Sequence, residues 1–212
     1  MRPATRDLAV FSVLIAPVVA WSAWGPKDRF IWWLEVAPVF VGLGLAWTLR
    51  ERFALSRLLL ALLWVHAVIL LAGGHYTYAE VPAGEWFREL SGGARNNYDK
   101  LGHLAQGFVP AMLAREILLR TSPLGDARSR PVSGWLWFQC GSVALAFSAF
   151  YELIEWWVAL VSGEGADAFL GTQGYVWDTQ SDMGCALAGA TLALILLPRF
   201  HDRSLEKLLA RA

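Results

Sequence analysis

Residues 135–161 read WLWFQCGSVALAFSAFYELIEWWVALV, and this stretch decides the fold. At about 1.5 Å of rise per residue, a helix of this length crosses a hydrocarbon core of about 30 Å. It carries no Lys or Arg, yet it holds Glu152 and Glu155. Their spacing puts both on one helix face, with Ser148 one turn before Glu152. Charge inside a membrane is costly and is seldom carried without a use. Two neighbouring buried carboxylates need a cation between them, or a proton on at least one.

Working outward, five further apolar segments accompany this one. The expected spans are residues 8–24, 30–49, 58–75, 101–120, 135–161 and 179–198. The expected fold is therefore all-α: a polytopic membrane helix bundle of about six transmembrane helices, forming a single domain over residues 1–212. Composition agrees. The chain is 56% hydrophobic, only 17% charged, and holds 12 Trp. Soluble domains carry roughly a quarter charged residues, and indole rings favour the headgroup level. The formal net charge is zero, which excludes the basic footprint of a nucleic-acid binder. Cys140 and Cys185 lie inside apolar segments and form no disulfide framework.

The basic residues set the expected orientation. With the N-terminus inside, the inner segments hold Arg2, Arg6, Arg50, Arg52, Arg57, Arg115, Arg120, Arg128, Arg130, Arg199, Arg203, Lys207 and Arg211. The outer segments hold Lys27, Arg29, Arg88, Arg95 and Lys100. The asymmetry predicts both termini inside. A competing reading makes Arg2, Arg6 and the run up to Val18-Val19-Ala20 a cleavable signal peptide. The apolar run continues past Ala20 to Trp21 and Trp24, which favours a retained span.

This topology brings three polar pairs to one depth. Asp99 and His103 open the fourth segment from outside, Glu152 and Glu155 lie in the outer half of the fifth, and Asp178 and Asp182 open the sixth. Asp99 and Asp178 also suit helix starts, where a carboxylate caps free amides. His103, Glu152 and Asp182 lie further into the apolar runs and are the expected metal ligands. Glu155 or Asp178 is the expected catalytic base. A histidine with several carboxylates makes an oxygen-rich site for a divalent metal such as Zn, Mg, Mn or Fe. His75, Tyr78 and Glu80, at the outer end of the third segment, are expected to cover the same pocket with Asp99. The loop holding Trp86 and Phe87 reads as a short interfacial helix capping it, and the Gly-rich stretch from Gly163 to Trp177 as a re-entrant turn or lid. Glu35 and His66 stand alone in their segments and read as helix-packing groups; Glu116 and Arg120 read as an ordinary helical ion pair.

Four segments taken together carry a resemblance: Gly73 to Pro82, Asn97 to His103, Tyr151 to Trp156 and Trp177 to Met183. In order, they resemble the YjdF family of small bacterial inner-membrane proteins, grouped under a domain of unknown function. The resemblance covers roughly residues 8–200 and implies a multi-pass protein of the bacterial inner (cytoplasmic) membrane; it implies no reaction. Asp99, Lys100 and His103 are also similar to the Asp-Lys-x-x-His start of VanZ-like membrane proteins. Glu152 and Glu155 stand where those proteins have an Asp-Glu-x-x-Gln element. That similarity implies an envelope role.

Three functional expectations follow. The first is an enzyme using a metal for hydrolysis or transfer on a lipid or envelope precursor. The second is a transporter or lipid-binding protein using the same carboxylates for a cation or protons. The third is a membrane scaffold that binds a partner. Membrane lipids are the expected surroundings in all three, and nucleic acid is not an expected partner.

Overall fold

The computed structural model describes residues 3–125, 134–162 and 172–210. Eight α-helices and a 3-10 turn account for nearly all of them, with no strand among the described residues. The helices are α1 (Pro3–Ala23), α2 (Arg29–Leu49), α3 (Arg57–Tyr76), α4 (Pro82–Ser91), α5 (Tyr98–Thr121), α6 (Gly134–Ser162), α7 (Asp178–Leu196) and α8 (Pro198–Leu209). The 3-10 turn, Tyr78–Glu80, lies between α3 and α4. Most of the proposed Gly-rich lid, residues 163–171, lies outside the described residues.

Local chemistry sets the helix ends. Asp28 caps α2 by accepting from the amides of Phe30 (2.7 Å) and Ile31 (2.9 Å). Ser56 caps α3 by accepting from Leu59 N at 3.3 Å. Thr77, at φ 66°, ends α3. α4 starts on Pro82 and stops at Gly92, whose φ of 67° costs a glycine little.

Helices α1, α2, α3 and α6 are each long and apolar enough to cross a membrane. The sixth expected span bends: α7 and α8 meet at 67° across Leu197, the geometry of a broken span or of a re-entrant loop. That makes four or five candidate spans, against the six expected. The difference is α5. Its 24 residues include Asp99, Lys100, Arg115, Glu116 and Arg120, too much charge to face lipid alone. It lies instead at the centre, with α3, α6 and α7 packed against it.

Three apolar cores among the described residues build the bundle, the smallest being Leu59, Met112 and Ala193 of α3, α5 and α7. Ile15, Trp32, Val36, Val39, Ala67 and Leu71 join α1, α2 and α3, and Ser22 ties them by donating to Leu71 O (2.6 Å) while accepting from Trp32 Nε1 (2.8 Å). Ala111, Ala114, Leu136, Cys140, Ala144, Ala190 and Leu194 join α5, α6 and α7. Outward-facing Val13, Trp33, Phe138 and Leu160 are exposed, as a lipid-facing surface requires.

Small residues bring α5 and α7 together. A Cβ at Gly107 would overlap the carbonyl of Ala186, and one at Gly189 the carbonyl of Leu104. Helices in lipid associate through such close backbone approach. The Tyr78 ring uses the same device, occupying the space beside Gly73 of α3 and Gly102 of α5.

The end of the bundle away from Asp99 is locked by a buried polar hub. Glu116 accepts from Ser56 N (2.9 Å), from Arg120 (3.1 Å) and from His201 Nε2 (3.0 Å). Arg115 meets His201 Nδ1 at 2.8 Å and Asp202 at 2.7 Å. An arginine only donates, so His201 accepts at Nδ1 and carries its proton on Nε2. The Glu116–Arg120 pair is thus one edge of a network that straps α8 onto α3 and α5.

Candidate functional site

The first two turns of α5 supply Asp99, Lys100 and His103. A buried side chain positions this helix start: Asn96 accepts from Tyr98 N (3.0 Å) and donates to Val81 O (3.0 Å). Gln173 bonds both the amide and the carbonyl of Asn96, at 3.2 and 2.9 Å, which registers the approach to α7 against α5.

His103 Nε2 lies 3.4 Å from Asp99 Oδ1, 3.5 Å from Glu152 Oε1 and 3.9 Å from Asp182 Oδ1. One imidazole nitrogen therefore faces carboxylates from α5, α6 and α7. Its side chain is 5% exposed, and those of Glu152 and Asp182 are 7% and 4% exposed. Ligand atoms of Asp99, His103 and Asp182 all fall within 4.8 Å of one another, and so do those of His103, Glu152 and Glu155. Metal–ligand bonds of about 2.0–2.6 Å place ligand atoms roughly 3–5 Å apart, so both sets are close to ligating geometry.

A second row of contacts adjoins the first. Lys100 Nζ is 2.6 Å from Asp178 Oδ1 and 2.6 Å from Asp182 Oδ1, with Asp99 Oδ2 at 3.6 Å. Arg95 also holds Asp178 Oδ1, at 2.8 Å. Both cations lie near the face of the Tyr175 ring, 5.4 Å for Arg95 and 5.9 Å for Lys100.

The sequence-predicted residues divide accordingly. His103, Glu152, Asp182, Asp99 and Glu155 come together. Asp178 is adjacent but is held by two cations, which suits an anchor better than a base. Tyr78 reaches the site between its two glycines and feels Glu35, Asp99 and Glu155 electrostatically. His75 turns away: it stacks on Trp21 at 4.6 Å, and its Nδ1 meets Ser22 O at 3.0 Å. Glu80 pairs with Lys27 at the surface. Thr77, at φ 66°, separates His75 from Tyr78, and two residues along a 3-10 turn of three residues per turn set Glu80 on a different side from Tyr78.

Glu35 was not expected here. It is buried on α2, accepts from Tyr151 OH at 3.0 Å, and interacts electrostatically with Asp99 and His103. The Tyr151 ring stands edge-on to His103 at 6.4 Å. Glu35 opens a segment at the depth of the other acids, so the depth argument applies to it too; its isolation in sequence hid it. The contacts of Lys100 with Asp178 and Asp182 are also new, because the sequence places Lys100 among the outer basic residues and in the Asp-Lys-x-x-His resemblance without giving it a partner.

The charge balance determines what such a site can do. Glu35, Asp99, Glu152, Glu155, Asp178 and Asp182 gather around Lys100, Arg95 and His103. The acids outnumber the bases in a buried region. Some polar atoms there also have no hydrogen-bond partner among the described residues: His103 Nδ1, Glu152 Oε1 and, nearby on α6, Ser148 Oγ. Buried polar atoms are seldom left so.

Residues 8–203 match the family described as "Predicted membrane protein (DUF2238)". The chain belongs to this family. It is also 50% identical over 190 residues to the inner membrane protein YjdF of Escherichia coli (strain K12), covering 90% of this chain and 88% of that one. No solved structure matches the chain. The DUF2238 assignment and this relative agree with the apolar helices in making it a multi-pass inner-membrane protein.

Proposed function

We propose that this protein binds a divalent cation between His103, Glu152 and Asp182, and uses it in hydrolysis or group transfer on a lipid or envelope precursor. The observation that carries the reading is the excess of buried carboxylates facing His103, among them Glu152, whose Oε1 accepts no hydrogen bond among the described residues and lies 3.5 Å from His103 Nε2. A divalent cation would balance that charge and polarise a phosphoryl or carbonyl oxygen. Glu155, whose ligand-spaced neighbours are His103 and Glu152 but not Asp182, is the base that takes the proton of the attacking water or hydroxyl. Asp178 is not assigned this role, because Arg95 and Lys100 already hold it.

The proposed topology keeps both termini inside and α5 crossing at the centre, shielded by its neighbours. The site then opens at the outer leaflet. Exposed Trp156, Trp157 and Trp177 stand beside its ligands in sequence, at the level where indole meets headgroups. A lipid-linked substrate would enter sideways from that leaflet.

Elemental analysis of protein purified in mild detergent tests this reading. About one zinc, manganese, magnesium or iron per chain, lost in Glu152→Gln and in His103→Ala, is expected. Protein that stays folded and metal-free, and takes up none of these ions on addition, would sink it. A carrier reading uses the same groups for protons. It is favoured by one observation: His66 of α3 has an unpartnered Nε2 and interacts electrostatically with His103.

A further inference from the structure

The row formed by Arg95, Asp178, Lys100 and Asp182 has a feature that the cation site does not require. Lys100 Nζ stands 2.6 Å from Asp182, a carboxylate that also faces His103. It stands equally close to Asp178, which faces Arg95. The ammonium thus bridges the two rows. We infer that Lys100 is a built-in cation that competes with an exchangeable divalent cation for Asp182, and that this competition sets how tightly the site holds its ion. The inference rests on the cation-site reading above and deepens it.

The physical argument is one of shared ligands. A carboxylate oxygen that accepts a short hydrogen bond from an ammonium is a weaker donor to a metal, because both draw on the same lone-pair charge. Lys100 has alternatives when an ion arrives: Asp178 is already in contact, and Asp99 Oδ2 is at 3.6 Å. The flexible lysine stem allows the ammonium to shift toward them. Arg95 is different. It touches Asp178 and the carbonyl of Thr172, and among the contacts described none reaches Asp182. The two cations thus have similar charge, share one partner, and differ in access to a proposed ligand. Their comparison separates competition for Asp182 from a general electrostatic field.

Mn2+ titrated into detergent-purified protein provides the test, with the free ion read by electron paramagnetic resonance. Lys100→Gln is expected to bind Mn2+ at least tenfold more tightly than the starting protein, and Arg95→Gln within about threefold of it. Lys100→Arg keeps the positive charge but replaces the compact ammonium with a fork that holds carboxylates bidentately, so competition for Asp182 predicts weaker Mn2+ binding and a field alone predicts no change. This variant decides the question if Lys100→Gln does not fold. Equal tightening in Lys100→Gln and Arg95→Gln would overturn the inference and leave only a long-range field. So would a starting protein that binds Mn2+ with an affinity none of the three variants changes. If the starting protein binds no Mn2+ but Lys100→Gln does, Lys100 is itself the resident cation: the inference stands and the metal-enzyme reading falls. If neither binds, both fall.

Discussion

Gly107→Ala adds one methyl group where α5 lies against α7, and its consequence can be worked from the structure. The new Cβ would overlap the Ala186 carbonyl, and backbone cannot swing aside as a side chain can. Restoring ordinary contact requires the helices to part by more than about 1 Å, and overpacking of this kind costs about 1–3 kcal/mol. The same displacement reaches the site. His103 is one turn from Gly107, Asp182 is one turn from Ala186, and the two face each other at 3.9 Å. A ligand set loosened by about 1 Å is a poor site, and 10–100-fold weaker metal binding is the expected scale, as for disrupted supporting shells. Gly184→Ala is the control. It lies on α7, the helix that carries Ala186 and Asp182, and a Cβ there meets nothing within 4 Å, so both stability and Mn2+ affinity should hold or improve slightly. Thermal unfolding in detergent reads the first quantity and Mn2+ titration the second. If Gly107→Ala matches Gly184→Ala in both, the close approach of α5 and α7 does not position the site.

Glu152→Gln should fold, insert and lose bound metal, with no loss of thermal stability in metal-free buffer, since an uncompensated buried carboxylate costs several kcal/mol. Leu153→Ala, at a residue 43% exposed on the outer face of α6, should keep the ion; metal retained by the first variant or lost by the second would contradict this. Glu116→Ala should cost about 3–5 kcal/mol, because it leaves buried His201 Nε2 and the Ser56 amide without their acceptor and Arg120 without its carboxylate; an unfolding shift corresponding to less than about 1 kcal/mol would show that the hub contributes little. Reporter fusions at residue 90 should read external and those at the C-terminus cytoplasmic, and a cytoplasmic signal at 90 would overturn the outward-facing site.

Much of the site was legible because helical spacing and membrane depth are sequence properties. The pairs at Asp99 and His103, Glu152 and Glu155, and Asp178 and Asp182 fall on shared faces by spacing alone, and the three helices do bring them together. Glu35 was illegible because nothing near it in α2 repeats the signal; only the packing of α2 on α3, with Gly74 against Val36 and Glu35, turns it inward. His75 and Glu80 are near the site in sequence but not in direction: Thr77 at φ 66° turns the chain after His75, and the 3-10 turn sets Glu80 on a different side from Tyr78. The bend after α7 had a visible cue in Pro198. The hub it completes had none, since His201 meets Glu116 across 85 residues of chain.

That long separation bears on how the protein is made. Arg115 and Glu116 are buried inside the bundle, where a charged group left without its partner costs several kcal/mol. Their partners His201 and Asp202 are synthesised close to the end of the chain. α1, α2 and α3 are apolar enough to enter the bilayer as they emerge, but α5 has no such independence. The contacts of Arg115 and Glu116 with His201 and Asp202 can form only after α8 has been synthesised. A chain stopped before Pro198 would therefore lose more than a tail: its central helix would stay unsettled, with ionisable groups exposed to lipid and to quality-control proteases.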